Sequence, residues 1–284
     1  MASNQEQDFL FDTSAGNPAD GGSLTIEQAI ANLQQTEDTG LRYYAAWWLG
    51  RFRVRERVVL EELILALGDE VDRSPDGGYP LRRNAAKALE KIGDRTCIPA
   101  LIECLECSDY YVRESAAQAL EMIGERDCIP ALVQLLAGGV ESAQQVPEKP
   151  HLVQPYEAIL EALGTLGATE AISQIEDFVQ HPVAKVQYAA VRAIYQLTGN
   201  PIYGDKLVQA LQGKELQLRR AALFDLGASG YIEGAEAIAS TLAENSLKLI
   251  ALKNLLESHL AQQEKDSNLS EASIKIMNLM DQLL

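Results

Sequence analysis

Leu81-Arg82-Arg83-Asn84-Ala85-Ala86-Lys87-Ala88-Leu89-Glu90-Lys91-Ile92-Gly93 runs on through Asp94-Arg95-Thr96-Cys97-Ile98-Pro99-Ala100-Leu101-Ile102, and 31 positions later the pattern returns. In the second copy Val112-Arg113-Glu114-Ser115-Ala116-Ala117-Gln118-Ala119-Leu120 leads through Met122-Ile123-Gly124 to Cys128-Ile129-Pro130-Ala131-Leu132-Val133. The Gly, Cys and Pro of both copies align. A fixed period of roughly 20–50 residues marks a solenoid. Weaker copies lie at 41–52, 159–167, 186–197 and 218–230, which makes six, spaced by about 30 to 43 residues.

Each copy reads as two short helices. In 81–92 the apolar positions 81, 85, 88, 89 and 92 form one helical stripe, and Ala at 85 and 88 admits a close neighbour. Gly93 ends the first helix. Thr96 is the expected N-cap of the second, Pro99 fits its first turn, and Leu101, Ile102 and Leu105 supply its buried face. No alternating run demands a strand. One copy cannot bury its apolar face alone, so the fold class is an all-α solenoid of HEAT-like, armadillo-type helical hairpins stacked into a curved superhelix. Three regions follow. Residues 1–23 are polar, Gly-rich and expected to be flexible. Residues 24–260 form the array, opened by a capping box at Thr25-Ile26-Glu27-Gln28. Residues 261–284 hold a linker and an amphipathic helix from Glu271 to Leu284, either a cap or a docking element. Long Gly- and Pro-containing loops are expected at 68–80 and 137–155.

Composition bounds the function. Of 284 residues, 47% are hydrophobic, enough for a core, but 24 Lys+Arg face 41 Asp+Glu for a net charge of −17. Phosphate neutralisation needs a basic surface, so nucleic-acid binding and adhesion to anionic membranes are disfavoured. No apolar run reaches the ~20 residues of a membrane span. Met1 to Phe11 lacks the basic and apolar regions of a secretory signal and has no Arg for a transit peptide. Four Cys are too sparse for a disulfide framework. The expectation is a soluble, acidic, cytosolic protein with free thiols.

The first copy departs from the rest. Leu41-Arg42-Tyr43-Tyr44-Ala45-Ala46-Trp47-Trp48-Leu49-Gly50-Arg51-Phe52 overlays the 81–92 copy at an offset of 40. Leu41, Ala45, Trp48, Leu49 and Phe52 then fall on the buried stripe. Arg42, Tyr43, Tyr44, Trp47 and Arg51 fall on polar positions. Residues 41–57 hold five of the 17 aromatics and five of the 14 Arg, including Arg53. Aromatic anchors beside Arg compose a recognition site for a flat, anionic, conjugated ligand or for a partner. The alternative is an end cap whose aromatics are covered by the N-terminal segment. Arg82, Arg113 and Arg219 recur at one repeat position, as an inter-repeat polar ladder or as ligand contacts. Cys104 and Cys107 form a C-x-x-C pair inside a helix, and His151, His181 and His259 are isolated, so no metal set is legible. Cys97 and Cys128 repeat near helix N-termini, which favours packing over reactivity. No nucleotide loop or hydrolytic signature occurs.

These residues point to a family. The V-R-x-x-A-A-x-A-L-x-x-I-G helix followed by C-I-P-A-L resembles the short HEAT-like repeats of phycobilin lyases, and the Tyr-Tyr/Trp-Trp block is similar to that of their E-type subunits. The resemblance covers about residues 24–260. It implies a heterodimer with a homologous F-type subunit and addition of a phycocyanin α-subunit cysteine across the ring-A ethylidene bond of phycocyanobilin, with detachment or transfer as the reverse. Phycocyanobilin is then a substrate and no cofactor or metal is required. The substrate protein brings the nucleophile, and the lyase orients the pigment. The implied bilin contacts are Arg42, Tyr43, Tyr44, Trp47, Trp48, Arg51, Arg53, Arg82 and Arg113. The acid that protonates the pigment is not legible, and the setting is the cyanobacterial cytosol or a plastid stroma. A non-catalytic HEAT-like adaptor of phycobilisome assembly or breakdown is the reading from a different class.

Overall fold

Gly93 and Gly124 adopt left-handed φ values of 71° and 81°, and each N–H closes its helix on the carbonyl four residues back. Only glycine takes that conformation without strain, so the repeat punctuation is set by backbone sterics. A computed structural model describes residues 24–261 and 269–284. The segment 1–23 expected to be flexible, and most of the 261–270 link, lie outside the described residues.

The helices follow as pairs: α1 (Ile26–Gln34) with α2 (Thr39–Arg51), α3 (Arg57–Ala66) with α4 (Pro80–Ile92), and α5 (Ile98–Cys104) with α6 (Tyr110–Ile123). Next come α7 (Ile129–Gln134), a short α8 (Gly139–Ser142) and α9 (Tyr156–Thr165), then α10 (Ile172–Phe178) with α11 (Ala184–Thr198). The array continues with α12 (Pro201–Ala210) and α13 (Leu216–Ser229), then α14 (Ala235–Ser240) and α15 (Asn245–Ala261), and finishes with α16 (Glu271–Asp281). The second helices stack in one row, each on the next: α2, α4, α6, α9, α11, α13, α15. The first helices back them as a second row. This is the expected α-solenoid. Among the described residues the only β feature is one antiparallel bridge, Gln145 to Leu152. No described helix is long and apolar enough to cross a membrane.

Local expectations are met where they depend on neighbours in sequence. Thr25 and Gln28 form a reciprocal capping box, and Leu81, Ala85, Ala88, Leu89 and Ile92 are all buried. Thr96 is not a helix N-cap. It sits in a 3-10 turn, and the Asp94 carboxylate accepts both its backbone and hydroxyl hydrogens at 2.9 and 2.6 Å. Leu41 and Phe52 are exposed rather than buried. Among the described residues their helix is the first of the stacked row, and it packs on α1 and α4. At the opposite end α16 lies on α14 and α15.

The stacked row approaches closely through small residues. A Cβ added at Gly50, Gly164 or Gly227 would lie 2.6, 2.6 and 2.7 Å from the Cα of Ala88, Ala193 and Ala251. Backbone cannot yield as a flexible side chain can. Gly50→Val is therefore expected to cost about 1–3 kcal/mol or more by overpacking, read as a lower thermal midpoint. Gly93→Ala, with nothing within 4 Å, should cost only the ~1–2 kcal/mol of a left-handed alanine.

Candidate functional site

Helix α2 is started by Asp38, whose carboxylate accepts the Leu41 N–H at 3.0 Å. Its turns then distribute side chains by their angular position. Ala45, Ala46, Leu49 and Gly50 turn inward and are buried. Tyr43 and Trp47 are half-buried, Tyr44 and Arg51 are exposed, and Trp48 is half-buried against the core. Tyr44 stacks on Trp47 at 5.6 Å, and Trp48 packs on Phe52 at 4.8 Å. Asn84 of α4 donates to the Tyr43 carbonyl at 2.7 Å, which fixes the register of the first two row helices. Arg53, at a left-handed φ of 51°, is exposed just past the helix end. Tyr43, Trp47 and Arg51 thus share one face, spaced one turn apart.

Three other expected contacts lie elsewhere. Arg42 is buried: its Nε donates to the Leu33 carbonyl at 3.1 Å and its Nη2 pairs with Asp69 at 2.7 Å. The expectation that Arg42 occupies a water-facing position is corrected, because α1 and the loop after α3 close over it. Arg82 donates to the carbonyls of Asp69 and Gly68, pairs with Glu70, and lies over the Tyr79 ring at 3.9 Å. Arg113 donates to the Cys107 and Val153 carbonyls and to the Gln154 side chain. Arg219 repeats the device on Gly213, Lys214 and Leu242, and Gln187 does so on Val179. In each case a side chain in the first turn of a row helix donates to carbonyls at or just past the end of the helix before it, and Arg113 and Arg219 reach on to Val153 and Leu242 in the loops before the next row helix. The recurring Arg is a ladder of carbonyl clamps, with acidic partners added at Arg42 and Arg82.

The sequence reading missed a cluster of enclosed charges. Arg192 of α11 pairs with Glu121 of α6 at 2.7 Å, Glu161 of α9 at 3.4 Å and Asp225 of α13 at 3.8 Å, and also donates to Thr165 at 3.0 Å. One guanidinium therefore joins four successive row helices. The legible signal was a lone charge inside an apolar run, as in Ala190-Val191-Arg192-Ala193-Ile194 and Leu223-Phe224-Asp225-Leu226. Three carboxyls around one cation cannot all ionise cheaply in a dry setting. Burial pushes Asp225 up to about 7 although Arg192 opposes it. Burial, then the charge of Asp225, raises Glu161 well above the usual carboxylate range. Further along the row burial also raises Glu114 of α6 and Glu157 of α9, against the opposing pull of Lys185. Arg83 and Lys87 of α4 face Glu114 as well. They stand at the repeat positions that Tyr43 and Trp47 hold in α2, so the aromatic face and the carboxyls belong to one side of the row.

The thiols are packed rather than poised. Cys97 and Cys128 donate to the carbonyls of Asp94 and Glu125 at 2.9 and 3.0 Å, and burial pushes each thiol up to about 11. Burial raises Cys104 to about 12. Among the described residues no group of three or more His, Cys, Asp or Glu is placed to hold a metal. His151 stacks on Tyr110 at 4.2 Å and pins the 143–155 loop to the start of α6.

The buried carboxyls give stability a definite pH dependence. Asp225 holds its proton more tightly folded than unfolded, so its contribution is complete below about pH 4 and is lost as pH rises through about 7. The denaturation midpoint should fall between pH 5 and pH 8, and Asp225→Asn should flatten that slope. Arg192→Leu should lose ~3–5 kcal/mol at pH 8, by leaving buried charge uncompensated, and less at pH 5.

Known proteins resemble this arrangement closely. A family model described as HEAT repeats matches residues 71–145. The phycocyanobilin lyase subunit alpha of Synechocystis sp. is 60% identical over 270 residues, 94% of this chain and 98% of that protein. The bilin biosynthesis protein PecE of Nostoc sp. is 41% identical over 237 residues, 84% of this chain and 88% of that one. A chain in the solved complex of CpcE and CpcF of phycocyanin lyase from Nostoc sp. PCC7120 matches with a TM-score of 0.85 and 59% identity, covering 94% of this chain and 98% of that chain.

Proposed function

The chain belongs to the family of phycocyanobilin lyase alpha subunits, and from that premise we propose that it works with an F-type partner to join phycocyanobilin to a cysteine of the phycocyanin α subunit. The single observation that carries the residue assignment is the aromatic, cationic face of α2 on a protein of net charge −17. Tyr43 and Trp47 stack on the pyrrole rings, with Tyr44 supporting Trp47. Arg51 and Arg53 hold the propionates, Arg51 as a planar fork that matches a carboxylate. Trp48 buttresses this helix from the core side. Arg42, Arg82 and Arg113 act one step removed, by fixing the helices that carry the face.

The substrate thiol forms a C–S bond to the exocyclic ethylidene carbon, the C=C π bond opens, and a proton adds at the neighbouring ring carbon. Nothing is oxidised or reduced overall, so the addition needs no redox co-reactant. Orientation of ring A toward one thiol supplies the selectivity. The proton comes from the carboxyls on the same side of the row, with Glu114 and Glu157 the favoured pair, because desolvation raises both above the ordinary carboxylate value. The reaction takes place in the cyanobacterial cytosol.

The test is paired thermal melting and chromophore attachment with the partner subunit present. Arg51→Ala should leave the melting curve nearly unchanged and slow attachment by about 10-fold or more, the worth of one charge-assisted hydrogen bond. Arg51→Lys should recover part of the rate. Trp47→Ala should weaken pigment uptake and, being half-buried, also lower the midpoint modestly. Arg42→Ala should do the reverse of Arg51→Ala, with ~3–5 kcal/mol of lost stability. Unchanged attachment in both Arg51→Ala and Trp47→Ala overturns the face. Glu114→Gln and Glu157→Gln should slow attachment while pigment uptake persists.

A further inference from the structure

Gly50 of α2 and Gly227 of α13 lie against the backbone of the next row helix in the same way, at Ala88 and Ala251, so the two helices present equivalent faces. Three residues before each glycine stands an aromatic side chain, Trp47 in α2 and Phe224 in α13. In α4, α6, α9 and α11 the same position holds Lys87, Gln118, Glu161 and Arg192, all polar. The Phe224 ring is 41% exposed. It lines, with Ala221 and Leu247, a hollow of about 460 Å³ between the N-terminal parts of α11, α13 and α15. Ligand sites commonly measure roughly 300–1,000 Å³.

The remaining lining is polar. Arg220 Nε donates to Glu244 at 3.1 Å, its Nη2 bonds the same carboxylate, and its Nη1 donates to Gln217 at 3.3 Å. These bonds hold the guanidinium in one orientation beside the hollow. Lys185 of α11 also lines it and is exposed. Two cations against one carboxylate leave a local positive charge on a protein of net charge −17. An exposed ring, a small apolar surface and an excess cation together select a flat group that carries negative charge. We propose that this hollow binds a flat aromatic anion, its ring system against Phe224 and its acid group at Lys185 and Arg220. The site is separate from the face of α2. Along the row α13 lies five steps from α2, roughly 40–50 Å at the usual spacing of packed helices. A pigment molecule seated on Tyr43 and Trp47 ends well short of it. Two sources offer the required chemistry, a further molecule of the pigment or a smaller aromatic acid.

The test uses the complex with the partner subunit and two probes, 8-anilinonaphthalene-1-sulfonate followed by fluorescence and phycocyanobilin followed by absorbance. Phe224→Ser and Lys185→Glu replace exposed side chains, so the circular dichroism spectrum should match wild type and the thermal midpoint should move little. Each should weaken one class of sulfonate site by about 10-fold or more, the worth of a stacked ring or a charge-assisted bond. Lys185→Arg should retain that site. A pigment stoichiometry that falls from two per chain to one in the Phe224→Ser/Lys185→Glu variant assigns the hollow to the pigment. An unchanged pigment stoichiometry with the sulfonate site lost assigns it to a smaller aromatic acid. Identical titrations of wild type and this double variant with both probes overturn the proposal. A Phe224-dependent sulfonate site present in the chain alone and absent from the complex also overturns it, because the hollow is then the partner's seat. Trp47→Ala should leave the Phe224-dependent binding unaltered, so this site and the pigment face of α2 stand or fall separately.

Discussion

A side chain near the start of one helix, reaching back to the carbonyls at and just past the end of the helix before it, is the contact on which the rest of this protein depends. Arg42, Arg82, Arg113 and Arg219 all make it, and Gln187 makes a neutral version. The carbonyls at a helix C-terminus have no partner within the helix, and burying them without donors costs more than any single apolar contact returns. Five N–H donors in a planar fork can satisfy several carbonyls at once. The clamp thereby ties each row helix to the chain that leads into it. Along the row, Gly50, Gly164 and Gly227 meet the backbone of the next row helix, and the stacking repeats.

A row built this way holds its side chains in register over many helices, and that rigidity permits unusual electrostatics. Glu121, Glu161 and Asp225 come from three different helices and converge on one guanidinium from a fourth. Such a cluster disfavours its own full ionisation, so it stores a proton near neutral pH. The cost is borne by the apolar packing around it. The proposed placing of a long, flexible pigment before a protein thiol draws on a rigid aromatic edge, a cation for a carboxylate, and carboxyls of raised pKa further along the same side. It needs no nucleophile of its own, and the thiols present are buried and pushed toward high pKa.

Repeat length, helix ends and the buried stripe were determined by the sequence alone, because each follows from interactions within one or two turns. Gly93 and Gly124 terminate helices through their own φ, Pro99 starts one through its ring, and Leu81, Ala85, Leu89 and Ile92 line up through 3.6-residue geometry. The aromatic block of α2 was legible as a departure from the repeat. The fate of each charge was not. Arg42 and Arg51 are the same residue type on the same helix, yet one is enclosed by Leu33 and Asp69 and the other faces water. Leu41 and Phe52 matched the apolar stripe and are exposed, because among the described residues α2 is the first helix of the row. Arg192 finds its carboxylates 31 to 71 residues away on other helices. These outcomes depend on which helix end or carboxyl lies across the packed interface, and only the stacking of the tertiary structure decides that.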